Sequence, residues 1–92
     1  NKSSLVKLGA VAERYKTAAS NAKGVVVPKD SVLYHVRIVN SLLYFATTLE
    51  QMVKYADEPL ASLALLSTYN TAELEVYNSF NDLATFQKNK KL

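Results

Sequence analysis

The longest regular pattern of apolar positions covers residues 31–56, SVLYHVRIVNSLLYFATTLEQMVKYA, and it contains neither Gly nor Pro. Val32, Val39, Ala46 and Val53 recur every seven residues. His35, Leu42, Leu49 and Ala56 form a second such series, offset by three. Together they make an a/d seam, which a helix presents as one apolar stripe. Ile38, Phe45 and Met52 widen the stripe on one side, Val36 and Leu43 on the other. A helix so broadly apolar has neighbours on more than one flank. The spacing therefore predicts a central helix over 31–56.

Upstream, Leu5, Leu8, Ala12, Tyr15, Ala19 and Ala22 fall at spacings of three and four. This predicts a helix over 3–23, capped by Ser3 or Ser4 and ended by Gly24 at positive φ. Its face is narrow and alanine-rich beyond Val11, so it buries little area per residue and is expected to be the weakest-held helix. Val25-Val26-Val27-Pro28 reads as an extended connection across the bundle end, burying one or two valines. Asp30 or Ser31 then caps the central helix. Asp57 is the expected N-cap of a third helix over 58–87, with Glu58 and Pro59 in its first turn. Its main stripe is Leu65, Tyr69, Ala72, Val76, Phe80 and Leu83, with Leu60, Leu63, Leu74 and Tyr77 beside it. So short a connection forces the second and third helices into an antiparallel hairpin. The expected fold is all-α: one domain over 1–92, a three-helix up-down-up bundle with a basic tail at 88–92.

Composition narrows this little further. Ninety-two residues with 49% hydrophobic content suffice for one small core. Two Gly and two Pro argue against a sheet built on tight turns. Without cysteine there is no disulfide and no thiolate ligand. The net charge is only +3, and five of the eleven basic residues lie in the terminal stretches (Lys2, Lys7, Lys88, Lys90 and Lys91). No apolar run of about 18 residues exists, so no membrane span is expected within the chain. The chain begins Asn-Lys-Ser-Ser, as a processed or cut chain does, and shows no signal-peptide core.

Candidate chemistry is sparse. His35, the single histidine, falls on the core face. A metal ligand or general base there lacks partner ligands, so a hydrogen bond to an opposing carbonyl or side chain is expected, with Asn78 and Asn81 as candidates. Glu50 falls near the stripe, roughly 22 Å along the helix from His35, so the two form no catalytic pair. It is expected to pair with Lys54 or face Ser67. With Asn40, these are the candidate buried polar residues. Tyr34, Tyr44 and Tyr55 fall opposite the stripe, bordered by Phe45 and Met52. Tyrosine gives large contact area at low entropic cost, so these five residues form a candidate interaction surface, for a protein partner or a homodimer. Nucleic-acid binding requires clustered basic residues, and none is seen. No P-loop or nucleophile constellation appears, so no catalytic residue, cofactor or metal is expected.

Pro28-Lys29-Asp30, then His35 and Asn40, then Glu58-Pro59, Leu65-Leu66 and Tyr69 resemble the pattern of uncharacterised helical domains in small exported bacterial proteins, often tethered by an N-terminal membrane helix. The resemblance covers about two thirds of the chain and implies a periplasmic or cell-surface location and no activity. The expectation is a non-catalytic helical interaction module, the soluble part of a tethered protein. The alternative is a small-molecule sensor whose pocket is lined by His35, Asn40 and tyrosines.

Overall fold

The computed structural model describes residues 2–90. Three helices account for nearly all of them: α1 (Lys2–Lys23), α2 (Val32–Lys54) and α3 (Pro59–Lys90). A 3₁₀ turn at Lys29–Ser31 leads into α2. The described residues include no strand, and no helix in them is long and apolar enough to cross a membrane.

The helix ends depart from expectation in instructive ways. Ser3 and Ser4 lie inside α1, which already begins at Lys2. Gly24 needs no positive φ, because tight turns close the helix: Gly24 N–H donates to Asn21 O at 3.2 Å and Val25 N–H to Ala22 O at 3.1 Å. Val26 is 96% exposed, and of the three valines only Val27 is half-buried. Ser31 stands at the start of α2 without a side-chain cap; the Asp30 carboxylate accepts instead from Lys90, at 2.5 Å. At α3 the cap position is Glu58 rather than Asp57. Its carbonyl accepts the first helical bond, from Ser62 N–H at 2.9 Å, and Pro59 takes the first position, where no N–H is needed. The basic tail continues α3 as far as Lys90; Lys91 and Leu92 lie outside the described residues.

The α1 stripe is as the spacing predicts: Ala12 and Ala19 are buried, and Leu5, Leu8, Tyr15 and Ala22 half-buried. It packs on Ile38, Val39, Leu42, Phe45 and Leu49 of α2. The contact with α3 uses a different strip of α2. Tyr34 stacks on Phe86, with ring centroids 4.7 Å apart, and Ser41 meets Ser79, hydroxyl to hydroxyl, at 2.9 Å. A step of seven beyond Ser41 and Ser79 brings Thr48 opposite Ala72, both buried. The seam of α3 is therefore Leu65, Tyr69, Ala72, Val76, Ser79, Leu83 and Phe86. Ser79 is 1% exposed and takes the core position expected for Phe80, which is 48% exposed. Small residues at the centre of this seam let the two backbones approach closely, and their hydroxyls are satisfied by Ile38 O at 2.8 Å and Val76 O at 2.9 Å.

On α2 the strip facing α1 and the strip facing α3 lie roughly 120° apart, counting 3.6 residues per turn. Two neighbours so placed diverge. α1 packs on α2 and α2 on α3, but α1 and α3 have no comparable backbone-level packing on each other. The result is a V in cross-section, elongated to 51 × 23 × 16 Å.

Candidate functional site

The open side of the V is the most distinctive surface. Its floor is α2, through Leu42, Phe45 and Met52. Leu8, Val11 and Tyr15 of α1 and Tyr69 and Val76 of α3 pack against this floor, and helical spacing continues the two walls through Ala18 on α1 and through Leu66, Tyr77 and Phe80 on α3. Midway along, a row of rings bridges all three helices. Tyr15 meets Phe45 edge-on with centroids 4.7 Å apart, and Phe45 meets Tyr69 at 5.2 Å. The Tyr69 hydroxyl donates to Glu73 Oε2 at 3.3 Å. Burial, and then the Glu73 charge, push the Tyr69 hydroxyl above its ordinary pKa. On either side of this row α1 offers too little bulk to close the trough. Opposite Tyr77 and Phe80 it carries Ala18 and Ala22, so Tyr77 stays 67% exposed. At the other end Leu5, Leu8, Met52, Ala56, Pro59, Ser62, Leu63 and Leu66 line an open apolar cleft of about 480 Å³.

The tyrosine row expected on α2 is not assembled. Phe45 is 6% exposed and central to the core, because its position falls between the two strips that face α1 and α3. Met52 packs against the same cluster. Tyr34 is half-buried on Phe86, and Tyr55 is half-buried at the C-terminal end of α2, with Lys54 Nζ 5.3 Å from its ring centroid. Tyr44 alone of the five is exposed, and the outer side of α2 also carries exposed Leu33, Val36 and Leu43. The sequence signal for this lay in Tyr34, Ser41, Thr48 and Tyr55, a third seven-residue series, which is the strip facing α3.

Two of the three polar candidates, His35 and Glu50, are engaged within the fold. His35 Nε2 lies 2.6 Å from Ala22 O, the same last-turn carbonyl of α1 that accepts from Val25 N–H, so its partner is on α1 and neither Asn78 nor Asn81. Glu50 pairs with Lys16 at 2.6 Å rather than with Lys54 or Ser67, and this contact raises the Lys16 pKa. Asn40 is exposed, not buried. With His35, Lys23, Val36, Val39 and Leu43 it lines a cleft of about 250 Å³, and no tyrosine joins that lining. Sequence reasoning missed Arg37, whose guanidinium binds Glu75 at 2.8 and 3.1 Å and also Asp82. The hydrogen bond from Arg37 holds the Glu75 carboxyl below its ordinary value.

Comparison with protein-family models, with curated proteins and with solved structures gives no match. Any role must be argued from the geometry. Among the described residues no three His, Cys, Asp or Glu side chains converge as metal ligands do.

Proposed function

We propose that this domain is a non-catalytic helical interaction module and that it binds a protein partner on the open side of the V. The observation that carries this reading is the second apolar stripe of α3. Leu63, Leu66, Tyr77 and Phe80 follow helical spacing, lie beside the core seam, and are 66, 52, 67 and 48% exposed. Exposed apolar residues also occur elsewhere, as at Leu33, Val36 and Leu43 on the outer side of α2, but on the open side they continue the half-buried Leu8, Tyr15, Met52 and Tyr69 into one apolar surface, as contact surfaces do. Amphipathic helices dock into such grooves. The engagement of His35, Glu50 and Arg37 in internal pairs supports a binding role over a chemical one. As the exported part of a tethered protein, the role the resemblance implies, the module presents this groove to whatever shares its compartment.

A photo-crosslinking side chain at position 77, compared with one at position 47 on the outer side of α2, tests the reading. Adducts from 77 that disappear in a Leu66→Ser, Phe80→Ser background are the expected result. Adducts from 47 alone, or 77 adducts unaffected by the double change, place the contact elsewhere and overturn it.

A further inference from the structure

We infer that the partner on the open side is a second copy of this chain, related by a two-fold axis parallel to the helices; the inference rests on the reading of that side as a contact surface. Its basis is the charge on the two rims. Arg14 rises from the α1 wall next to Tyr15, and with Tyr15, Ala18 and Leu42 it lines a small cleft. Glu73 rises from the α3 wall and accepts the Tyr69 hydroxyl. The Tyr15–Phe45–Tyr69 ring row sets both at one level along the bundle. Among the described residues neither Arg14 nor Glu73 has an ionic partner, whereas Lys16, Arg37, Glu50, Glu75 and Asp82 all do. The rims are thus one basic and one acidic, on opposite lips of the same trough.

A two-fold axis parallel to the helices swaps left for right and keeps level. It sets α3 of one copy over α1 of the other, parallel, so that each Arg14 meets the partner's Glu73. The contact is isologous and closed, giving a dimer and no filament. Leu66, Tyr77 and Phe80 then cover Leu8, Val11 and Ala18 of the partner, where one chain's own α1 is too small to reach. The other symmetric arrangement, with the axis across the helices, sets α3 on α3. With the ring rows in register it brings Glu73 against Glu73 and Arg14 against Arg14, and like charges across an interface are strongly disfavoured. The charge pattern therefore makes the surface complementary to itself in the parallel-axis arrangement.

Sedimentation equilibrium on the full chain, with circular dichroism to confirm folding, tests this. Wild type is expected to dimerise, more tightly at low salt. Arg14→Glu and Glu73→Arg each set like charges together at both symmetry-related contacts and should weaken the dimer roughly tenfold. The double swap Arg14→Glu, Glu73→Arg should restore it. Monomer at roughly millimolar chain, a dimer indifferent to either reversal, or a swap that fails to restore each overturns the inference. The interaction module is tested separately by crosslinking: a monomer whose position 77 still crosslinks to a foreign protein keeps the module and removes the second copy.

Discussion

Single side chains divide sharply between those that hold the fold and those that decorate it. Leu49 is 1% exposed and touches both partner helices through the Phe45 cluster. Leu49→Ala should cost about 2–5 kcal/mol in chemical denaturation, the range for a core leucine left as a cavity. Phe80→Ser should stay within about 0.5 kcal/mol, although phenylalanine is the larger residue, because Phe80 is outside the seam. Equal losses would show that Phe80 is core after all. Leu49 was legible from the heptad alone. Phe80 was not, because a phenylalanine beside a serine at helical spacing looks like the core choice. Here volume misleads: α2 approaches too closely at that level for a ring, and Ser79 fits. His35 was legible as a satisfied histidine but not as the clasp on α1, since a sequence does not say which of two neighbours a broad stripe faces.

At the scale of elements, α2 and α3 are held by spacing and charge together. Ser79→Leu forces a branched side chain against Ser41 and should cost about 1–3 kcal/mol by overpacking, measured as a lower melting temperature. A neutral result would mean the helices are not in close contact there. Along one edge of the same pair, Arg37 bridges Glu75 and Asp82. Glu75 has its pKa lowered from 4.5, chiefly by the Arg37 hydrogen bond. A lowered carboxylate supplies stability that is complete above its unfolded value and is lost as pH falls through the folded one. The melting temperature should therefore hold from neutrality to about pH 5 and drop below 4.5. In Glu75→Gln that acid-side drop should be shallower. A drop of the same depth would assign the acid sensitivity to other groups. The hairpin itself was readable from Glu58-Pro59, while its register was not. Hydrophobic periodicity marks a stripe, and here the strip facing α3 is half serine and threonine, so it carried no apolar signal.

The whole molecule is a hairpin with a helix laid along one flank, and its parts should open in that order. α1 fully buries only Ala12 and Ala19, and its polar ties include the His35 contact at one end and Lys16 with Glu50 midway. α2 buries eight residues and is covered from two sides. Local opening free energies follow buried apolar contact, so amide exchange should be fastest in α1, slower in α3 between residues 65 and 86, and slowest at the centre of α2. Hydrogen exchange at low protein concentration measures this directly, and equal protection in α1 and α2 would contradict the open cross-section. The same experiment also separates the monomer from the dimer. In one chain, the outward amides of α1 near Val11 and Ala18 have nothing above them. With α3 of a second copy laid across them, exchange through opening of α1 requires that copy to leave first. Protection in α1 should then rise with protein concentration, while the centre of α2, already limited by global unfolding, gains only the linkage increment of dimerisation. A profile for α1 that does not change with concentration, in wild type and in Arg14→Glu alike, would leave α1 covered by nothing but its own chain.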